Sequence, residues 1–203
     1  MRTAELLIAE RGLGNVSIRD IVSGAKQKNE SALQYHFKNL NGLIDAIHAQ
    51  RDMQINKERL LVLKEVRETS STLEVRDIAA VMVLPAYRLA VRHADFRAYI
   101  QAFGHEMALA SSLTSLASRK SGEAFNQFKS WLQESIPGLD DALFDRRVAA
   151  AVRFAAVSMT HQARLKNAFR GQQAEVFVND LIDIMVGILT TTESPQTRNY
   201  SRS

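Results

Sequence analysis

Cysteine is absent from the 203 residues. This excludes disulfides, thiolate metal sites and cysteine nucleophiles, and it fits a reducing compartment, so a cytoplasmic location is expected. Proline and glycine are scarce, at 3 and 9 residues. Turns between many short strands draw on both, so an all-α fold is expected. No apolar stretch reaches the roughly 20 residues of a membrane-spanning helix, because charges interrupt every one, and no membrane partner is expected. Met1 to Glu5 place an acid in the first turn with no cleavable apolar segment behind it, so no secretion signal is expected.

Catalytic signatures are missing as well. There is no Gly-rich phosphate loop and no Gly-x-Ser-x-Gly elbow. Carboxylate-bridged metal bundles need repeated Glu-x-x-His pairs. This chain has only Asp45-Ala46-Ile47-His48, and His105-Glu106 lacks the second histidine of a zinc-protease helix. The five histidines, at 36, 48, 93, 105 and 161, are dispersed. No enzyme, metal site or cofactor is therefore expected. What remains is 46% hydrophobic and 24% charged, as in an ordinary globular protein, with a net charge of +4 that permits a nucleic-acid partner without requiring one.

Apolar periodicity predicts helices over about 2–12, 17–25, 30–37, 40–66, 73–92, 95–110, 113–135, 140–169 and 173–191. That is three short helices, a long connecting helix and five longer ones. Leu6, Leu7 and Ile8 supply the apolar face of the first, which Gly12 and Gly14 end. Ser17 reads as an N-cap with Asp20 as its capping-box partner. Leu33 and Phe37, one turn apart, face inward on the third. Residues 192–203 hold almost nothing apolar and are expected to form a frayed tail.

Segment 17–37 is the informative part: two short amphipathic helices joined by a tight polar turn, the pattern of a helix-turn-helix. Its second helix can offer its N-terminal half to a major groove. The positions left outside are Gln27, Lys28, Glu30, Ser31, Ala32, Gln34, Tyr35 and His36. Gln pairs bidentately with adenine, Ser reads either partner, and Ala can touch a thymine methyl. Lys26, Lys28 and Lys38 surround them, as suits phosphate contacts. Residue type alone leaves a plain helical hairpin with a solvated face equally open.

Three pieces, Ala-Glu-Arg-Gly at 9–12, Ser-Ile-Arg-Asp-Ile at 17–21 and Tyr-His-Phe at 35–37, are followed by Leu43 and Ala46. Together, and in this spacing, they resemble the N-terminal domain of TetR-family regulators. The run Lys28 to Phe37 is similar to a subgroup with one extra residue in the turn. The likeness covers about a quarter of the chain; the remainder agrees only in helix count and length.

The resemblance implies a homodimer on double-stranded operator DNA, most simply a repressor released by a small-molecule effector. Ser17 and Arg19 would contact phosphate. Lys28, Asn29, Ser31, Ala32 and Gln34 would face bases, with Tyr35 and His36 at aromatic and phosphate-contacting positions. Phe37 would lock the third helix onto the first. Four features depart from the family pattern. Lys26 stands at the turn position usually filled by Gly, Val22 replaces a small residue, Leu40 replaces a basic one, and the chain begins inside the first family helix. They leave open a helical sensor or adaptor that has lost operator binding.

The expected division is 1–46 for the DNA-binding domain, 47–191 for effector binding and dimerisation, and 192–203 for the tail. In the larger part, Phe103, Met107 and Trp131 are candidate apolar walls of an effector cavity and Tyr99 and His105 its polar handles, though core filling would use the same side chains. Phe144, Val148, Val152, Ala155 and Met159 form one stripe in 140–169; Phe177, Leu181, Ile184 and Ile188 form another in 173–191. Burial within the subunit is one reading of these stripes. The other, which the resemblance favours, is a four-helix interface between two copies.

Overall fold

The computed structural model describes residues 1–27, 30–69, 72–109 and 122–201. The fold is all-α, and the described residues form ten α-helices and no strand. Three short helices make the head: α1 (Arg2–Arg11), α2 (Ile18–Gly24) and α3 (Glu30–Phe37). The long α4 (Leu40–Thr69) leads into a body of α5 (Val75–Arg92), α6 (Ala94–Leu109), α7 (Gly122–Ser135), α8 (Asp141–Ala163) and α9 (Gly171–Thr190). A short α10 (Pro195–Ser201) follows, where a frayed tail was expected; residues 195–200 are all exposed.

Local chemistry explains most boundaries. Gly12 ends α1 at φ 81°, its N–H donating to the Ile8 carbonyl at 2.8 Å. Ser17 caps α2 in a complete capping box: its hydroxyl accepts from the Asp20 N–H at 3.2 Å, and Asp20 accepts the Ser17 N–H at 2.8 Å. Asn39 caps α4 by accepting the Gly42 N–H at 2.9 Å. Asp140 caps α8 through the Leu143 N–H at 2.8 Å. The expected helix 140–169 stops at Ala163 because the chain turns back to bury Ala168 and Phe169. Phe169 adopts φ 56° and packs edge-on to Tyr87, with ring centroids 5.9 Å apart.

The core is one continuous apolar cluster running from Ala4, Ile8 and Ile21 in the head, through Leu43 and Ile47, to Phe103, Phe144, Met185 and Leu189 in the body. In α1 the inward residues are Ala4 and Ile8, whereas Leu6, expected on that face, is half exposed. Head and body share this core because α1 lies along α6, while α4 lies along α5. α8 packs on both α6 and α9. Gly104 permits the α6–α8 approach, since a Cβ there would collide with the Thr160 hydroxyl.

Candidate nucleic-acid interface

α2 closes in a left-handed cap despite an unfavourable residue there. The Lys26 N–H donates to the Ser23 carbonyl at 2.9 Å and the Gln27 N–H to the Val22 carbonyl at 3.0 Å. This paired pattern closes a helix with a left-handed residue, a position that favours Gly. Lys26 occupies it at φ 54°, at a cost of about 1 kcal/mol relative to Gly. Lys26→Gly is therefore expected to raise Tm by a few degrees in a thermal melt, and an unchanged Tm would show the turn to be unstrained.

The structure leaves Arg19, Lys26, Gln27, Ser31, Tyr35, His36 and Lys38 exposed around α3, while Leu33 and Phe37 are half-buried against the core. α3 rests on α2 and α4. Tyr35 is 85% exposed and stands edge-on to His36, with ring centroids 5.4 Å apart. Ser17 is exposed, but its N–H and hydroxyl are both engaged by Asp20. That hydrogen bonding holds the Asp20 carboxyl below its ordinary pKa. Lys28 and Asn29 lie outside the described residues, as do the side chains of Ala32 and Gln34.

Behind this surface the head is tied to the body by a buried cation that sequence reading missed. Arg51 of α4 grips Glu5 of α1 with two nitrogens, each at 2.7 Å, and reaches Asp95 of α6 at 3.0 Å. The guanidinium also lies 5.5 Å from the Phe96 ring centroid and 5.7 Å from that of Tyr99. Burial pushes the Asp95 carboxyl up, but Arg51 outweighs it and the net pKa lies below the ordinary value. Burial likewise pulls Arg51 down, and its two acidic partners more than reverse the effect.

Next to this hub, the His48 Nδ1 and Tyr99 hydroxyl are 3.1 Å apart, and the His48 ring is 4.8 Å from Phe103. Burial, followed by the charge of Asp52, drives the Tyr99 pKa well upward. Of the five candidate effector residues, Tyr99 and Phe103 come together in the interior, with ring centroids 5.5 Å apart. Trp131 is half-buried on α7, under Arg67 of α4 at 5.1 Å. His105 is exposed, because two residues beyond Phe103 lies on the opposite side of α6. The Met107 side chain is outside the described residues. His48 is the inward histidine instead.

The two long apolar stripes also need correction. Phe144, Val148, Met159 and Leu181 are buried within the subunit and have no face left to offer a second copy. Val152, Ala155, Phe177 and Ile188 are half-buried at the rim of that core. Ile184 does face outward, together with Phe154, Val157 and Val176, which the stripes did not include. Helical periodicity identified the face turned toward the body; on α8 the outward residues Phe154 and Val157 lie on nearly the opposite side of the helix.

Two short helices and a connecting segment, the order of a helix-turn-helix, are joined by the long α4 to a helical body. The chain belongs to the TetR family: residues 80–191, more than half of it, match the family model described as tetracyclin repressor-like, C-terminal domain. That match covers the part where the sequence reading found agreement in helix count and length alone. Comparison with curated proteins finds no match. No described helix is long and apolar enough to cross a membrane.

Proposed function

We propose that the protein is a homodimeric, sequence-specific DNA-binding regulator, a repressor that leaves its operator when the body takes up a small effector. The observation that carries this reading is α3: Leu33 and Phe37 anchor it, and Ser31, Tyr35, His36 and Lys38 cover its open side. Each protomer would present α3 to one half-site, the two about one DNA turn apart. The left-handed Lys26 argues against lapsed operator binding, since the α2 cap forms without Gly. The reading assigns the protein no catalytic role.

The Arg51 hub supplies a mechanism. An effector seated beside Tyr99 and Phe103 would favour a different α4–α6 spacing. Arg51 would transmit that change to Glu5 and so to α1, shifting the separation of the two α3 helices. Operator affinity then falls by the ligand's preference for the shifted state.

Fluorescence anisotropy with DNA from upstream of its own gene tests the reading. Tight binding to one segment, with affinity dropping steeply as salt rises, is the expected result. Equal binding to unrelated DNA would refute sequence-specific recognition. In the same assay Tyr35→Ala is expected to weaken binding by about tenfold or less across all sequences, as for a lost backbone contact. Tm should stay unchanged because Tyr35 is exposed.

A further inference from the structure

We propose that the effector is an apolar molecule bearing one carboxylate, and that the Arg59 guanidinium of α4 receives it. The proposal rests on the regulator reading for the existence of an effector, but its chemistry comes from one face of α4. His48, Asp52, Ile55 and Arg59 recur at spacings of four and three, and all are partly buried on that face. His48 marks where the face meets Tyr99 and Phe103 of α6. Arg59 lies about 16 Å further along, at 1.5 Å per residue.

Arg59 differs from the other arginines drawn into this fold. Arg51 holds Glu5 and Asp95; Arg92 holds Glu58 and Arg88 holds Glu65; Arg147 and Arg97 have no carboxylate but donate to the last carbonyls of α9 and α5, where the helix dipole favours a cation. Arg59 donates to the Asn56 side-chain oxygen, a neutral acceptor, and among the described residues no carboxylate lies within 4 Å of it. Loss of solvent pulls its pKa down, and Asp52 opposes this only at a distance. A cation withdrawn from water without a charge partner is destabilising. Such a cost persists where a ligand repays it.

The planar fork of Arg matches a carboxylate in bidentate geometry. One guanidinium balances one negative charge, and Asp52, on the same face, disfavours a dianion such as a phosphate monoester. Burial raises the Asp52 pKa, so excess negative charge is already unfavourable there. Ile55 is partly buried on the same face, whereas Tyr99 and Phe103 are closed off in the free subunit, so their rings must part to admit the apolar body of the ligand.

The test titrates the full-length protein with decanoate, decan-1-ol and decyl phosphate. Thermal shift and the fluorescence of Trp131, the single tryptophan, are the readouts. Wild type is expected to bind decanoate at least about tenfold more tightly than the alcohol, as for a charge-assisted bidentate pair. Arg59→Gln should erase that difference. Without ligand, Arg59→Met should melt no lower than wild type, which a purely structural arginine would not allow.

The proposal is overturned by no decanoate binding, by equal binding of the alcohol, by tighter binding of the phosphate, by discrimination surviving in Arg59→Gln, or by a lower melting point for Arg59→Met. Ligand-free operator binding is measured on the same preparations. Wild type that does not distinguish decanoate from the alcohol, yet binds its operator, removes the effector class alone; a carboxylate site in a protein that binds no operator removes the regulator reading alone.

Discussion

Arg51→Ala is expected to lose about 3–5 kcal/mol of folding stability, the range for a buried ion pair deprived of one partner. Glu5 is 2% exposed, and without Arg51 its carboxylate would be buried with no charge partner. The loss should appear in urea denaturation at neutral pH and fixed protein concentration, which must be held constant because association shifts apparent stability. The double variant Glu5→Leu with Arg51→Met should recover much of it, because apolar side chains of similar volume can replace a buried pair at little cost. If the double variant is as unstable as Arg51→Ala, packing around the site matters more than the charges.

The same hub fixes a pH response. Asp95 has a lowered pKa in the folded protein, so its contribution is complete above the unfolded value of about 3.9 and fades as pH falls through the lower folded value. In Arg51→Ala the main cause of that lowering is gone, so acid unfolding should begin at higher pH. Hydrogen exchange gives the functional counterpart. Amides of α1, such as Ile8, and of its cap Gly12 should lose protection in Arg51→Ala before those of α6, because Arg51 is the charged tie of α1 to the body.

What the sequence made legible was local. The Ser17–Asp20 box spans three residues, Gly12 ends its own helix, and Leu33 and Phe37 lie one turn apart; each pattern is contained within the element it defines. The Glu5–Arg51–Asp95 hub is different, because its members are separated by more than 40 positions and belong to three helices. No spacing in α1 distinguishes Glu5 from a solvated first-turn acid. His48 was visible only as an incomplete metal motif, since its partner Tyr99 is 51 residues away.

The stripes of α8 and α9 failed for another reason. Periodicity shows that a helix has an apolar face, not what covers that face, and these helices carry apolar residues on two. Phe144, Val148 and Met159 recur regularly because α8 crosses its own body along them. Phe154 and Val157 interrupt a more polar side and so register weakly, although they remain uncovered in the subunit. Chain reversal at Phe169 was equally hidden: an aromatic after Lys166 and Asn167 continues a helical pattern, and only its packing against Tyr87 and Phe177 marks the break.

Those uncovered residues lead to the second large effect. Val157→Glu combined with Ile184→Glu is expected to convert a dimer into a monomer in sedimentation and to weaken operator binding by about 10²–10⁴-fold, the gain normally supplied by linking two binding heads. Val157 is 52% exposed and Ile184 40%, so acids there meet solvent in the isolated subunit and should leave its fold intact.

Charge specifies how two copies would meet. Arg153 and His161 lie on the exposed side of α8, with Asp180 and Asp183 on that of α9. Asp183 is held by Arg76, whereas Arg153 and Asp180 form no ion pair among the described residues of the subunit. A two-fold arrangement that sets α8 against the partner's α9 brings opposite charges together, and one that pairs like helices does not. Arg153→Glu should therefore weaken the dimer, and adding Asp180→Arg should restore it. Val157→Glu with Ile184→Glu remaining dimeric would move the interface off this face. Failure of the charge reversal to restore association would leave the face but reverse the pairing, α8 on α8, and with it the geometry by which two α3 helices are spaced along DNA.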